Sequence, residues 1–434
     1  MALHRFIHIG DTHLKGDRRQ VDRVAALEQI VAHVQRRAED DTLAAIIWPG
    51  DLYDAKSTVD DRNLLTSYVQ AFAAAATVLV CYGNHDQPGD LAVLERLQGV
   101  HRIRVVDTPG VVTFETALGV PVSAFVLPYP HKGGLVAAGV DHQALGQDAA
   151  SLLDPIFMTA AAALEPLIAA GHIPLMATHI NIGGSVSSVG QPQIGQEIEL
   201  NPALLARLPM SVAVLANHIH KHQQVGRLVY AGSIARMDFG EQEAKGFVEW
   251  TWDDEARAWS WEFILLDTPG QFHIEGRLTR DAFTIDTVNG EHVSPGPGDD
   301  GLVLPGDDFK GGDVRCRYHF VKAEIGALDV AKIHAEFAGC RTLVLEPIAE
   351  QAHSVRAPEI AAAVTLDEKV HAYAARQGIA VTPGFDAKLA LIQSSPDDAV
   401  QALVATQLAS IGQRRDTSAV QQLQAQTQEL EVRA

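Results

Sequence analysis

Thr77-Val78-Leu79-Val80-Cys81-Tyr82-Gly83-Asn84-His85-Asp86 is the stretch on which the reading of this chain turns. Its first six residues form a short apolar run and read as a buried strand, which the Gly83-Asn84 turn ends. A strand-end Asn offers a neutral amide oxygen as a ligand. The imidazole of His85 beside it can face a bound group while Asp86 orients the ring.

Working outward, the same arrangement recurs. Arg5 to Ile9 reads as a buried strand leading into Gly10-Asp11-Thr12-His13, and Ala44 to Trp48 leads into Gly50-Asp51-Leu52-Tyr53-Asp54. Pro174 to Thr178 leads to His179, and Val212 to Ala216 leads to Asn217-His218-Ile219-His220. Between the first two strands, Val24, Leu27, Ile30, Val31 and Val34 recur on one face of a helix over Gln20 to Ala38. Ala149 to Ala170 is a second helical stretch. Val248, Trp250 and Trp252, then Trp259, Trp261, Phe263 and Leu265, alternate about an acidic turn at Asp253 to Glu255 and read as a β-hairpin. Short apolar strands alternating with amphipathic helices predict a layered α/β architecture.

Each polar motif is weak alone, and the set is informative because every member follows an apolar run. Side chains at the ends of several strands converge on one point. Asp11 with His13 suits one divalent ion, Asp51 offers a carboxylate that can bridge two, and Asn84, His179, His218 and His220 add amide and imidazole donors. Carboxylate, amide and imidazole without thiolate favour manganese, iron or magnesium over structural zinc. His85 would then face a scissile phosphate.

With 434 residues, 47% hydrophobic and 20% charged, the chain suffices for one large domain and one or two smaller ones. No long apolar run opens the sequence or spans a bilayer, so neither a secretory leader nor a membrane span is expected. Three cysteines, Cys81, Cys316 and Cys340, form no CxxC pair, which points to a reducing cytoplasm. A net charge of −20 leaves no broad basic footprint for nucleic acid. Divalent ions would reverse the local sign around clustered carboxylates, and much of the acid lies away from the motifs, as in the Gly/Pro/Asp stretch 294–313.

Beyond Pro269 the pattern changes. Val314, Cys316, Tyr318 and Phe320 share one strand face, a helix is predicted over Asp329 to Phe337, and a strand over Thr342 to Leu345, together a small α+β domain. From about Ala357 the chain reads as helices. The clearest has Ser395 as N-cap, Pro396 after it, and a stripe of Val400, Leu403, Val404, Leu408 and Ile411. Gln421 to Ala434 is too polar to build a core. The expected domains are thus 1–268, 269–350 and 351–434.

The ordered motif set resembles the calcineurin-like metallophosphoesterase superfamily. The block Tyr230-Ala231-Gly232-Ser233-Ile234-Ala235-Arg236-Met237-Asp238-Phe239-Gly240-Glu241, running on to Lys245-Gly246-Phe247, is similar to the SbcD family of DNA repair exonucleases, as are Gly50 to Asp54 and the Gly/Ser-rich loop Asn181 to Gly190. The resemblance implies a β-sandwich flanked by helices, a small α+β DNA-capping domain and a helical C-terminal region. It implies two divalent ions, manganese foremost. Asp11, His13, Asp51 and His220 would surround one, and Asp51, Asn84, His179 and His218 the other, with His85 as acid and Asp86 holding its tautomer. It further implies exonuclease action on double-strand ends, endonuclease action on single strands or hairpins, homodimerisation, and an SbcC-like coiled-coil ATPase as partner in a nucleoid-associated, cytoplasmic complex. The C-terminal stripe Val400 to Ile411 is where the ATPase contact is expected.

One departure is Asn217, where the family commonly has Gly; Asn is the least costly substitute if the position needs positive φ. Lys15, Arg18, Arg19, Lys56, Lys132, Lys221 and Arg236 lie near the motifs as candidate backbone contacts or solvated charges. The alternatives are another phosphodiesterase of the superfamily, acting on a small molecule or phosphoprotein, and a docking subunit without catalysis.

Overall fold

The computed structural model describes residues 3–130, 149–191, 198–293, 309–350, 360, 362–394 and 396. The chain divides into two compact units, Met1–Gln351 and Ala352–Ala434.

The first unit is built from strands β1 (Leu3–His8), β2 (Leu43–Trp48), β3 (Thr77–Cys81), β4 (Ile103–Val106), β5 (Gly110–Glu115), β6 (Pro121–Leu127) and β7 (Ile173–His179). There follow the short β8 (Asn181–Ile182) and β9 (Glu199–Leu200), then β10 (Ala213–Asn217), β11 (Gln223–Val225), β12 (Leu228–Tyr230), β13 (Gly246–Asp253) and β14 (Ala258–Leu265). Twelve of them form two six-stranded sheets, β14-β13-β1-β2-β3-β4 and β11-β12-β10-β7-β6-β5, and β8 pairs with β9. β1 to β4 run parallel, as do β6, β7, β10 and β12, so five motif-bearing strand ends point the same way.

Strand alternation explains the layering. On β2, Ile46 and Trp48 pack outward against helices α1 (Gln20–Glu39) and α2 (Val59–Ala75), together with Leu27, Ile30, Val69 and Phe72. Ala45 and Ile47, one residue off, pack between the sheets with Leu79, Ala124, Leu175 and Leu215. Helix α3 (Ala149–Ala169) covers the far side of the second sheet through Phe157 and Leu164. The result is the predicted sandwich of sheets flanked by helices. α2 starts at a capping box in which Thr58 Oγ1 accepts from Asp61 N at 3.2 Å and the Asp61 carboxylate accepts from Thr58 N at 2.9 Å.

A third sheet, of β15 (Gln271–Leu278), β16 (Phe283–Val288), β17 (Glu291–His292), β18 (Asp313–Val321) and β19 (Thr342–Glu350), follows in the order β17-β16-β15-β18-β19. Val314, Cys316, Tyr318 and Phe320 face its core with Ile333 and Phe337, as the alternation predicted. The helix between these strands spans only Ala331–Glu336, because the Asp329 carboxylate caps Ala331 N at 3.0 Å and Phe337 leaves helical geometry. The last strand outruns its expected end, for β19 is an edge strand and tolerates Pro347. Arg341 ties this sheet to α1: its guanidinium donates to Asp22 Oδ2 at 2.8 Å and to Asp313 Oδ1 at 2.9 Å.

In the second unit, helices Leu366–Arg376 and Pro383–Ser394 bury Ala374 and Leu389. Ser395, the stripe Val400 to Ile411 and most of the 294–313 stretch lie outside the described residues.

Candidate metal centre

Five loops meet at the C-terminal ends of the parallel strands, and backbone approach there is too close for side chains at two glycines. A Cβ on Gly10 would stand 1.7 Å from Gly232 O, and one on Gly83 2.1 Å from Asp51 Oδ1. Three of the candidate ligands adopt positive φ, His13 at 48°, Asp51 at 52° and His218 at 104°. Such conformations cost of order 1–3 kcal/mol each and persist where surrounding contacts over-determine them.

Asp51 lies at the middle. Its carboxylate is 3.2 Å from His179 Nε2 and 3.6 Å from His13 Nε2. His13, Asp51 and His85 present donor atoms within 4.8 Å of one another, as do Asp51, His179 and His218, so Asp51 is common to both groups. Asn84 Oδ1 sits 2.9 Å from His179 Nε2 and 3.0 Å from His218 Nδ1, completing the second group. His220 Nε2 is 3.0 Å from His13 Nε2, joining the first. Asp11 is fully buried, and its contacts are with the second group: its two carboxylate oxygens each accept from His218 N at 3.2 Å, and His179 Nδ1 is 3.7 Å away.

The donor chemistry fits divalent cations. Two histidines are held neutral: burial lowers His13, and burial followed by the neighbouring His13 lowers His220 further. Burial would raise the Asp51 carboxyl, but His179, His13 and His85 hold it well below the usual carboxylate range. Burial also opposes protonation of His179, yet Asp51 and then Asp11 lift it to about 9. Asp11 is pushed up to about 8 by burial, with Asp51 adding and His179 opposing. Crowded buried carboxylates beside the neutral imidazoles of His13 and His220, with a proton held on His179 by Asp51 and Asp11, are an environment in which a divalent ion would take the place of that proton. Around the shared carboxylate of Asp51, His13 and His220 therefore lie together, as do Asn84, His179 and His218.

His85 is oriented differently from the sequence expectation. Its Nδ1 donates to the carbonyl of Asp54 at 2.7 Å, and its backbone N–H donates to Asp51 Oδ1 at 2.9 Å. Nε2 is therefore left toward the cavity. Asp86 makes no contact with the ring. Instead its buried carboxylate accepts from the N–H groups of Asp51, Leu52, Tyr53 and Gly83 at 2.8, 3.1, 3.1 and 2.9 Å. Asp86 is a staple between the two loops, and the tautomer of His85 is set by a carbonyl. A carboxylate can take four N–H groups at once, whereas one imidazole would use only a fraction of that capacity.

Asn217 is also corrected. It does not take positive φ; the next residue, His218, does. The Asn217 amide oxygen accepts from His8 Nε2 at 3.0 Å, and its NH₂ donates to Ile9 O at 3.0 Å, tying the end of β10 to the end of β1. Burial depresses His8 to about 3, which keeps it neutral in that pairing.

The block after His-x-His braces the site from behind. Buried Lys245 donates to Ser233 Oγ at 3.0 Å and His220 O at 3.3 Å while paired to Glu241 at 2.6 Å. Arg236 is spent on the carbonyls of Glu241, Thr268 and Pro269 at 3.0, 3.1 and 3.1 Å. Lys15 pairs with Asp54 at 2.7 Å, and Arg18 and Arg19 lie over the Phe239 ring at 5.6 and 5.1 Å. Lys132 lies outside the described residues.

A cavity of 340 Å³ opens over His13, Asp51, His85, His218 and His220, with Arg19, Arg23 and Asp238 on its rim. Two contributors, Gln191 and Tyr129, escaped sequence reasoning, and a third, Asp54, was read only as part of its motif. Gln191 donates to His218 O at 2.6 Å and accepts from His220 N at 3.2 Å. Tyr129 packs its ring 5.6 Å from His218, and Asp54 supplies both the carbonyl for His85 and a carboxylate 3.5 Å from His13 Nδ1. Asp54 was legible as part of its motif; Gln191 and Tyr129 carry no local signal.

Residues 4–191 match the family model of the calcineurin-like phosphoesterases, a span that includes every candidate but His218 and His220. The match supports the metallophosphoesterase superfamily, whose members use divalent metals to hydrolyse phosphoesters. The mixed α/β sandwich is consistent with that fold. No curated protein matches the chain. Among solved structures, the crystal structure of TT1561 of Thermus thermophilus is similar at 14% identity and a TM-score of 0.33, covering 60% of this chain and 99% of that one. Among the described residues no helix is long and apolar enough to cross a membrane.

Proposed function

We propose that this chain is the nuclease subunit of an SbcCD-type complex, hydrolysing DNA phosphodiester bonds with two divalent ions, manganese foremost. The observation that carries the hydrolytic reading is the single carboxylate, Asp51, common to two clusters of donor atoms beneath an open cavity. Asp11, His13, Asp51 and His220 would hold one ion, and Asp51, Asn84, His179 and His218 the other. Bound there, the ions would supply charge neutralisation on the phosphoryl oxygens and acidify a water. His85, with Nδ1 committed to the Asp54 carbonyl, would present a protonated Nε2 to the departing sugar oxygen.

DNA as substrate is supported by the SbcD-like block 230–247 and by the third sheet at 271–350. An SbcC-like ATPase and a second copy of the chain are proposed partners on the same resemblance, with 351–434 as the docking region. The second reading, a phosphodiesterase for a small molecule or phosphoprotein, is favoured by one observation. Three cations around the cavity are already committed, Lys15 to Asp54, Arg23 to Asp17 and Arg19 to Asp238, so few remain for a DNA backbone.

Purified protein with manganese, offered linear duplex, hairpin and single-stranded DNA alongside a nitrophenyl phosphodiester, separates these. Shortening or nicking of DNA that His85→Gln slows about 10²-fold is expected. Turnover of the small diester with intact DNA would overturn the nuclease reading.

A further inference from the structure

At the other end of the sandwich, where β3, β6 and β7 begin, a second cavity of 640 Å³ opens between the two sheets. Arg102 and Arg104 flank Ile103, which is buried in the core, so strand alternation turns both guanidinium groups the other way, onto the cavity. His101 and His172 line it with them, His172 arriving from the second sheet. Among the described residues neither arginine has an acidic partner, whereas Arg5, Arg23, Arg37, Arg207 and Arg277 each do. The Nδ1 atom of His172 is closed to solvent and has no hydrogen-bond partner among the described residues. Arg18, Arg36 and Arg96 likewise have no ion-pair partner among the described residues and Glu115 also lines the cavity, so what sets this place apart is the convergence of two arginines and two histidines on one cavity in a chain of net charge −20.

The walls are pre-formed. Thr77 Oγ1 donates to Glu115 O at 3.0 Å and Ala117 N donates to Ala44 O at 3.0 Å, which pins the end of β5 to the first sheet. His101 N donates to Ala73 O at 2.8 Å, fixing the turn into β4. A ligand would therefore meet a fixed backbone frame and would order only the arginine side chains on it. The volume lies within the range of about 300–1,000 Å³ usual for small-molecule sites and exceeds what a bare oxyanion fills.

We propose that this cavity binds a phosphate-bearing small molecule of nucleotide size, its phosphate on Arg102, Arg104, His101 and His172 and its apolar body against Val100, Phe114 and Pro121. Guanidinium groups suit phosphate through paired, charge-assisted hydrogen bonds. The site belongs to the opposite strand ends from the metal centre and stands whether or not the chain cleaves DNA.

The test is calorimetric titration of the full chain, stripped of metal with EDTA, using pyrophosphate and deoxyadenosine 5′-monophosphate as probes. Saturable binding is expected in the wild type and in Asp51→Asn. Affinity should fall at least about tenfold in Arg102→Ala/Arg104→Ala, the loss of charge-assisted hydrogen bonds, and recover in part with Arg102→Lys/Arg104→Lys. These side chains hold no acidic partner among the described residues, so an unchanged melting temperature certifies the variants. No binding at millimolar probe would overturn the proposal, as would binding lost in Asp51→Asn but kept in the double alanine variant. So would a site that takes only duplex DNA. Pyrophosphate binding with no gain for the nucleotide would overturn the apolar wall.

Discussion

The two ends of the sandwich are made from the same strands and treat charge in opposite ways. At the C-terminal end, ionisable groups are buried and nearly every polar atom is committed: Asp86 to four N–H groups, His179 Nδ1 to Pro49 O at 2.8 Å, His85 Nδ1 to Asp54 O at 2.7 Å. At the N-terminal end, Arg102 and Arg104 lie at the surface with no ion-pair partner among the described residues. Rigid, positive-φ loops aim ligands at a point, which suits a metal-assisted reaction. Open cations on a pinned rim suit reversible capture of an anion. Parallel strands make this possible, because loops leaving their C-terminal ends converge while those entering the other ends are free to serve a different ligand.

The contrast predicts a graded series of effects. Asp51→Asn removes the carboxylate common to both donor groups, so phosphodiester hydrolysis should fall by on the order of 10³-fold or more, and bound manganese, measured by elemental analysis, should fall below two per chain. Unchanged metal content would break the idea that Asp51 is shared.

His85→Gln should lower kcat about 10²-fold with metal content intact. Its effect should shrink on a nitrophenyl ester, whose leaving group needs little protonation. An equal loss on both substrates would remove His85 from the role of acid.

Asp86→Ala strands four buried N–H groups and should destabilise the fold by about 3 kcal/mol or more, read from denaturant unfolding. Metal removal tests the same end by pH. The folded Asp11 carboxyl, at about 8, lies above its unfolded value, so it keeps a proton that the unfolded chain releases near pH 4. The stability that metal-free wild type holds over Asp11→Asn should therefore fall as pH rises from about 4 to about 8, the buried neutral His8, His13 and His220 contributing alike to both proteins. A wild-type margin over Asp11→Asn that grows across this window would contradict the raised Asp11 carboxyl.

The smallest effect belongs to the other end. Arg102→Ala/Arg104→Ala should change stability by less than about 0.5 kcal/mol, as for surface side chains without partners. A larger loss would mean that these arginines hold the fold together, and the contrast between the two ends would fail.

Legibility in the sequence followed the range of each interaction. The strands before Asp11, Asp51, Asn84, His179 and His218 were readable because short, mostly apolar runs of five or six residues are a local signal, and their ends fell within a residue or two of expectation. The helix after β18 was misjudged at both ends, where a capping carboxylate and Phe337 decided the limits. Asp86 looked like a partner for its neighbour His85, yet its four donors include three from a loop more than 30 residues away. Asn217 was read as a backbone substitute for glycine and is in fact a side-chain link to His8, 209 positions distant.

By itself, then, the sequence determined the alternating layers and the ordered donors, because strand period, strand-end placement and ligand chemistry are all local properties. Tertiary structure decided which atom of each donor is free. Burial and partners brought from other loops set the tautomer of His85, the neutrality of His13 and His220, and the charge on Asp51. It alone also placed Arg102 and Arg104 beside His172, since two sheets must close on one another before residues about 70 positions apart can face the same cavity.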